Sequence, residues 1–122
     1  MDFTERLDLY LEGGMIDEKD VKDVNAVIQI FQEKYGITLC EENAATFIAH
    51  LCAAYGRNTT HEEVEPLMEE LFAEVKELDS YPQAEKMLQD LMSVTVNPLS
   101  KAEQEYALLH INNLLASLND SE

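Results

Sequence analysis

The most regular stretch of this sequence is Asp17-Glu-Lys-Asp-Val-Lys-Asp-Val-Asn-Ala-Val-Ile-Gln-Ile-Phe-Gln-Glu-Lys-Tyr35-Gly36. Its apolar residues recur at intervals of three and four, which is the period of one face of an α-helix. They are Val21, Val24, Ile28, Phe31 and Tyr35. Gly36 follows at once, and glycine is the residue that most often ends a helix. The stretch therefore predicts a helix over residues 17–35.

Helical spacing of apolar residues also dominates the sequence on both sides of this stretch. No window shows the sustained alternation or the Asn-Gly turns that strands and hairpins need. We therefore predict an all-α fold, a compact bundle of five helices, with room for a short extra helix at the N-terminus. Residues 1–16 are expected to form this N-terminal extension, 17–118 the helical domain and 119–122 a frayed tail.

Helix boundaries outside residues 17–35 follow from capping and breaking residues. Gly13-Gly14 ends the extra helix predicted over residues 3–11. The spacing Ser/Thr-x-x-Glu, which is typical of a capping box, marks three helix starts. The three pairs are Thr38 with Glu41, Thr60 with Glu63, and Ser100 with Glu103. Gly56 is expected to end the helix that follows Thr38.

Two prolines bear on the remaining helices. Pro66 is placed in the first turn of a helix over residues 65–78, because proline deeper in a helix removes a hydrogen bond. Ser80-Tyr81-Pro82 is typical of a cap followed by a helix start. That helix breaks at residues 94–98, and the last helix runs over residues 101–118. The Met residues of these segments are predicted to lie in the core: Met68, Met87 and Met92.

The 122-residue chain has the size of one domain, and its 46% hydrophobic content is enough for a core. Its 25 acidic side chains outnumber the 8 basic ones and give a formal charge of −17. Because such a charge repels phosphate backbones and anionic lipids, we expect no direct binding to nucleic acid or to membranes.

Three observations predict a cytoplasmic protein. Acidic residues near the N-terminus stand where a secretory signal has basic and apolar ones. No stretch approaches 18 uninterrupted apolar residues, so no membrane span is predicted. Cys40 and Cys52 lack metal-binding spacing and are expected to be free thiols in a reducing compartment.

Two histidines occupy equivalent positions on two predicted helices. His50 and His110 each follow apolar residues and precede an aliphatic one, so each imidazole lies at the edge of a buried stripe. Residues seven apart return to nearly the same side of a helix, so Arg57 lies on the side of His50. Tyr106 and Asn113 lie one turn on either side of His110 and offer hydrogen bonds that fix its tautomer. If the two helices pack together, the imidazoles share one cleft.

Such a pair suits phosphoryl transfer. A neutral imidazole is a nitrogen nucleophile, and a reference pKa of about 6.5 leaves most of it neutral near pH 7. The added phosphate carries about 1.5 to 2 negative charges and needs a cationic neighbour in so acidic a chain. Arg57 is the candidate, because a guanidinium holds phosphate with two parallel hydrogen bonds.

Three segments together resemble a known family. They are Phe47-Ile-Ala-His50-Leu-x5-Arg57, Tyr81-Pro82, and Glu103-x2-Tyr106-x3-His110-Ile111. In this spacing, over residues from about 17 to 118, the chain resembles the PTS regulation domain, or PRD. The resemblance implies a five-helix, usually dimeric domain of bacterial antiterminators and transcriptional activators.

The resemblance also implies roles for the site residues. His50 and His110 correspond to the regulated histidines of the family, which accept phosphate from carriers of the sugar phosphotransferase system. Arg57 corresponds to the arginine after the first histidine. The implied partners are the phosphocarrier protein HPr or a sugar-specific IIB component, together with a second copy of the chain. The implied role is that of a phosphoacceptor and not of an enzyme.

The chain departs from the family pattern in two ways. Several members have aspartate directly before the first histidine, where this chain has Ala49, so His50 is expected to be the poorer acceptor. Members also usually carry a nucleic-acid-binding domain and a second PRD. This sequence has neither, so the regulatory output lies elsewhere, passes through a separate partner, or is absent.

Plainer interpretations stay open for the same residues. A histidine beside an apolar face is often a hydrogen-bonded packing residue, so a second hypothesis is a helical adaptor or dimerisation domain without phosphorylation. Arg57 equally suits the C-terminal end of a helix dipole. His61 is expected to be a solvated first-turn residue. A third hypothesis, an enzyme with paired histidines as acid and base, requires a closed pocket.

Metal and cofactor motifs are missing from the sequence. Di-iron bundles need glutamate three residues before each histidine, and these positions hold Phe47 and Ala107. No zinc, calcium or phosphate-loop motif is present. We therefore predict no metal and no cofactor.

Overall fold

The structure, a computed structural model, describes residues 3–60 and 65–120. These residues form six α-helices and no strand. The helices are α1 (Thr4–Glu12), α2 (Glu18–Tyr35), α3 (Glu41–Thr60), α4 (Glu69–Glu77), α5 (Tyr81–Val94) and α6 (Lys101–Asp120). The all-α prediction is confirmed. The count is six and not five because the N-terminal segment forms the extra helix. At the other end, α6 continues to Asp120, within the tail that was predicted to fray.

Helix α6 makes the most extensive contacts in the bundle. It packs against α3, α4 and α5, while α2 packs against α3 and α5, and α1 packs against α2. The largest fully buried apolar side chains come from α2, α3, α5 and α6: Val24, Val27, Phe31, Phe47, Ile48, Leu51, Tyr55, Met87, Leu91, Ile111 and Leu114. Fully burying one such side chain contributes about 1.5 to 3 kcal/mol, so this core holds the helices together.

Both ends of α2 are capped. At its start, the Asp17 carboxylate accepts a hydrogen bond from the Asp20 backbone N–H at 3.0 Å, and the Asp20 carboxylate accepts one from the Asp17 N–H at 3.1 Å. This reciprocal cap satisfies amides that the first turn leaves unpaired. At its end, Gly36 has a φ of +67°, which confirms the predicted glycine stop.

Gly56 does not end α3, contrary to the prediction, since the helix continues to Thr60. A Cβ atom at Gly56 would lie 2.6 Å from the backbone oxygen of Met15. Glycine is therefore needed here because the loop between α1 and α2 approaches the α3 backbone closely. The prediction mistook a packing requirement for a helix stop.

The three predicted capping boxes have different outcomes. The pair at Thr38 and Glu41 stays a prediction, because α3 begins at Glu41 and the side chain of Glu41 lies outside the described part of the chain. The Thr38 hydroxyl donates to the Gln32 side-chain oxygen. Ser100 does cap α6, since its Oγ accepts the backbone N–H of Glu103 at 3.2 Å. The pair at Thr60 and Glu63, together with His61, involves residues outside the described part of the chain.

Helix α4 is shorter than predicted and begins at Glu69, beyond Pro66. Met68 has extended backbone, with φ −55° and ψ 136°, so the chain leaving the proline is not yet helical. This geometry leaves the Met68 side chain 67% exposed, and the prediction that it lies in the core is wrong. The prediction is confirmed for Met87, which is buried, and Met92 packs against the core.

A buried polar cluster anchors the loop between α5 and α6 to α2. The Asp23 carboxylate accepts hydrogen bonds from the backbone N–H groups of Val96, at 3.0 Å, and Asn97, at 2.8 Å. The Asn97 side-chain amide donates to Asp23 at 2.7 Å and to Asp20 at 2.8 Å. Because all of these polar groups except Val96 are buried, the hydrogen bonds offset the cost of removing them from water.

Candidate functional site

Two histidines from neighbouring helices lie side by side where α3 packs against α6. The ring centroids of His50 and His110 are 5.1 Å apart, and the ring planes are inclined by 44°. Arg57, seven residues after His50, contacts Glu103, seven residues before His110. The two helices therefore run antiparallel here, and they bring the predicted residue pair together.

Glu103 connects Arg57 to His50. Its carboxylate accepts two hydrogen bonds from Arg57, from Nε at 2.8 Å and from Nη2 at 3.0 Å. The same carboxylate lies 3.6 Å from His50 Nε2, and the Glu103 backbone oxygen lies 3.3 Å from that nitrogen. Because both oxygens are acceptors, we assign the proton of His50 to Nε2, which leaves the lone pair on Nδ1.

The site is shielded from water at the histidine and more open at the arginine. The side chains of His50 and Glu103 are 9% and 8% exposed, whereas that of Arg57 is 26% exposed. A carboxylate at this depth needs a charged or hydrogen-bonding partner, since an isolated buried charge is costly. The guanidinium supplies that partner, so Arg57 and Glu103 stabilise each other.

Burial keeps both histidines neutral. It lowers the pKa of His110 to about 4, and the neighbouring His50 adds to the shift. Burial also lowers the pKa of His50, with Arg57 acting in the same direction and Glu103 opposing it. At pH 7 each imidazole therefore has one ring nitrogen with a lone pair, which is the form that attacks an electrophile.

His110 is less constrained than His50. Its ring is half-buried and forms no hydrogen bond with the described part of the chain. The hydrogen bonds predicted from Tyr106 and Asn113 are therefore not formed. The Tyr106 ring packs against His50 instead, with centroids 5.9 Å apart, and Asn113 is exposed. Three residues turn a helix by about 300°, so Asn113 lies about 60° round from His110, on the solvent side.

Glu103 is the site residue whose role the sequence reasoning missed. The Ser-x-x-Glu pattern assigned its carboxylate to the start of α6, whereas the structure directs it to Arg57 on α3. The signal that could have found this contact is the spacing. His50 and Arg57 are seven residues apart, as are Glu103 and His110, so antiparallel packing that pairs the histidines also pairs arginine with glutamate.

Other groups offer less chemistry. Among the described residues, no three metal-ligating side chains come together. Cys40 and Cys52 are not joined in a disulfide. Burial raises the pKa of Cys52 to about 12, so its thiol is protonated at pH 7. No helix in this part of the chain is long and apolar enough to cross a bilayer.

Comparisons with known proteins bear on the same residues. A family model described as PRD domain matches residues 25–114, about three quarters of the chain. A protein of Escherichia coli (strain K12), named Uncharacterized protein YhfY, is 25% identical over 115 residues, which cover 94% of this chain and 96% of that protein. No solved structure is significantly similar. The matched segment contains α3 and the part of α6 that carries Glu103 and His110.

Proposed function

This chain belongs to the PRD domain family, and on that premise we propose that it is a regulatory phosphoacceptor of the bacterial sugar phosphotransferase system. The acceptors in this proposal are His110 first and His50 second. The observation that carries it is the placement of two neutral imidazoles ring to ring, with the Arg57 guanidinium attached to the same cluster. The role is regulatory and not catalytic.

The proposed step is a transfer between nitrogens, or from sulfur to nitrogen. The lone pair of a neutral His110 nitrogen attacks the phosphorus of a phosphohistidine on HPr or of a phosphocysteine on a IIB component. The P–N or P–S bond to the donor breaks, and its electron pair stays with the donor. The proton on the other ring nitrogen of His110 remains there, so the step needs no proton acceptor.

His110 is the preferred acceptor because its nitrogens are not engaged by the described residues. His50 Nε2 faces two oxygens of Glu103, and its side chain is only 9% exposed. The lone pair of His50 is then on Nδ1, in a ring that is almost fully shielded from a donor protein. The absence of an aspartate before His50, where Ala49 stands, points in the same direction.

The proposal places the chain in the cytoplasm, where the soluble phosphate carriers of the system act. The formal charge of −17 disfavours direct contact with nucleic acid and with anionic membranes. A regulatory output then requires a protein partner that distinguishes the phosphorylated from the unphosphorylated form.

We further propose a homodimer, supported by exposed apolar side chains around α4. Met68, Leu71 and Leu78, which lie just before, within and just after α4, are 67%, 37% and 46% exposed. Sedimentation analysis is expected to give a dimer mass that Leu71→Glu reduces to a monomer. A monomer at high protein concentration would contradict this part of the proposal.

Intact-mass analysis tests the phosphoacceptor role. The chain is incubated with phosphoenolpyruvate, enzyme I and HPr, and then also with a IIB component. We expect one acid-labile phosphate, lost in His110→Ala and reduced in His50→Ala. His61→Ala serves as the control for loss of a histidine outside the pair and is expected to behave as wild type. No transfer from either donor would contradict the proposal.

A second function has its own support. The close approach of His50 Nε2 to Glu103 is also what a satisfied packing histidine would show. A helical adaptor that keeps the fold and is never phosphorylated would then dimerise or bind its partner constitutively. It is distinguished by the same mass experiment, because an adaptor shows no transfer while its oligomeric state and its folding stay normal.

A further inference from the structure

Glu103 holds Arg57 in the geometry in which a guanidinium holds a phosphate. Nε and Nη2 of Arg57 donate to the two carboxylate oxygens at 2.8 and 3.0 Å, as two hydrogen bonds side by side. The same pair of donors fits two oxygens of a phosphoryl group. This edge of the guanidinium is therefore already occupied by an anion that belongs to the chain itself.

Glu103 and a phosphohistidine compete for this position. The Glu103 carboxylate is 8% exposed and lies 3.6 Å from His50 Nε2, and the ring of His50 is 5.1 Å from that of His110. A phosphate on either ring adds about 1.5 to 2 negative charges beside the carboxylate. Like charges repel strongly in a site shielded from water, so one of the two anions has to leave Arg57.

We propose that Arg57 and the two histidines form a latent phosphate site in which Glu103 is the resident anion. When a histidine is phosphorylated, the hydrogen bonds of Arg57 pass from the carboxylate to the phosphoryl oxygens, and Glu103 turns toward solvent. No bond other than these hydrogen bonds changes in the exchange. The inference rests on the function proposed above for its trigger, and it assigns Glu103 the role of a competitor.

The exchange acts on the beginning of α6. The Glu103 backbone N–H donates to Ser100 Oγ at 3.2 Å, and its backbone oxygen lies 3.3 Å from His50 Nε2. The loop just before this turn is held to α2 through Asn97 and Asp23. Displacing the Glu103 carboxylate therefore removes the link between the first turn of α6 and Arg57 on α3, next to an anchored loop. This turn is the element that reports phosphorylation.

Inorganic phosphate is the probe that tests the site without any protein donor. It is titrated into wild type and Glu103→Gln, which keeps the shape of the side chain and removes its charge. Imidazole ¹⁵N NMR of His50 and His110 reports binding. A charge-assisted hydrogen bond contributes about 1.5 to 3 kcal/mol, so we expect Glu103→Gln to bind phosphate at least about tenfold more tightly than wild type.

Two matched variants control for net charge and for the role of Arg57. Glu105→Gln makes the same charge change two residues away on α6, at the groove toward α4, and is expected to bind as wild type does. When Arg57→Ala is added to Glu103→Gln, the double variant is expected to bind phosphate no more tightly than wild type does. Equal binding by wild type and Glu103→Gln, or a gain that survives Arg57→Ala, would overturn the inference.

Two further measurements keep the outcome decisive. If Glu103→Gln is unfolded by circular dichroism, Glu103→Asp replaces it, because a side chain one methylene shorter cannot make both hydrogen bonds. Phosphate binding by Glu103→Asp no tighter than wild type then overturns the inference. Transfer from HPr to wild type tests the proposed function separately, since the phosphate titration uses no donor. If HPr phosphorylates wild type but Glu103→Gln does not bind phosphate more tightly than wild type, only this inference is rejected. If Glu103→Gln binds phosphate more tightly but HPr does not phosphorylate wild type, only the proposed function is rejected.

Discussion

At the scale of single residues, His110 combines a half-buried ring with a neighbouring imidazole, and both lower its pKa, to about 4. The unfolded chain, with an ordinary histidine pKa of about 6.5, takes up the proton first as the pH falls. The stability that a neutral His110 contributes is therefore complete above about pH 6.5 and is lost as the pH falls toward 4.

This yields the first prediction, which imidazole ¹⁵N NMR and urea unfolding check together. His110 is expected to stay neutral down to pH 5.5. The urea concentration at the midpoint of unfolding is expected to decrease as the pH is lowered from 7 to 5. His110→Gln, which has no titrating group, should show a smaller fall. If the His110 imidazole titrates in the folded protein with a midpoint near pH 6.5, the lowered pKa is contradicted.

Arg57→Ala should destabilise the fold through the residue that remains. The variant leaves the Glu103 carboxylate, 8% exposed, without its bidentate partner. We expect a loss of about 2 kcal/mol in the free energy of unfolding, measured with urea. Lys22→Ala on the exposed face of α2 is the control and should change little. Adding Glu103→Gln should recover part of the loss, because an amide is cheaper to bury than a charge. No recovery would contradict the mechanism.

Helix periodicity and the resemblance to the PRD predicted His50, His110 and Arg57 as site residues, and the structure places these three residues in one cluster. The sequence reasoning did not assign Glu103 to Arg57, since the capping pattern at Ser100 accounts for a glutamate at that place by a local rule. Both readings concern one residue: its backbone N–H is capped by Ser100, while its carboxylate bonds to another helix. Only the packing of α3 on α6 separates the two roles.

At the scale of helices, Gly56 and Met15 set how closely the α1–α2 loop approaches α3. Gly56→Ala would ordinarily gain about 1 kcal/mol of helix propensity. Here the new Cβ would lie 2.6 Å from a backbone oxygen that cannot move freely. We expect a net loss of at least about 1 kcal/mol, measured by thermal unfolding. Ala73→Gly on the exposed side of α4 calibrates propensity alone, and a stabilised Gly56→Ala would contradict the close contact.

Asn97 is predicted to matter more than its place in a loop suggests. Asn97→Ala removes the amide that bonds to both Asp20 and Asp23, which are 1% and 4% exposed. We expect a loss of about 2 kcal/mol in urea unfolding, because buried acceptors then lose donors. Asn113→Ala on the exposed side of α6 is the matched control. Equal effects of the two variants would show that the loop is not anchored in this way.

The helices themselves were predictable because each has an apolar face with a period of three to four, but their boundaries were less so. By local rules, Gly56 predicts the end of a helix and Pro66 the start of one. In the structure α3 continues past Gly56, and α4 begins at Glu69, three residues after Pro66. The anchor between Asp23 and Asn97 joins positions 74 residues apart in sequence. No local pattern marks such a pair, because each residue alone is an ordinary polar residue.

At the scale of the whole molecule, the charge of −17 opposes folding through self-repulsion. Raising NaCl from about 10 mM to about 500 mM shortens the screening length from about 30 Å to a few ångströms. We expect the melting temperature to rise by several degrees. The rise should be smaller when the exposed residues Glu77 and Glu85 are both changed to Gln. A melting temperature that falls with salt would mean that surface attraction outweighs repulsion.

The distance between the two rings also limits stoichiometry. The ring centroids are 5.1 Å apart. Two dianions held at about that separation would repel by roughly 3 kcal/mol even at the dielectric constant of water. If the proposed phosphorylation takes place while α3 and α6 remain packed, we expect the cleft to accommodate one phosphate. A second phosphate would be accepted only if α3 and α6 separate. The number of phosphates per chain would therefore indicate whether these two helices are packed together.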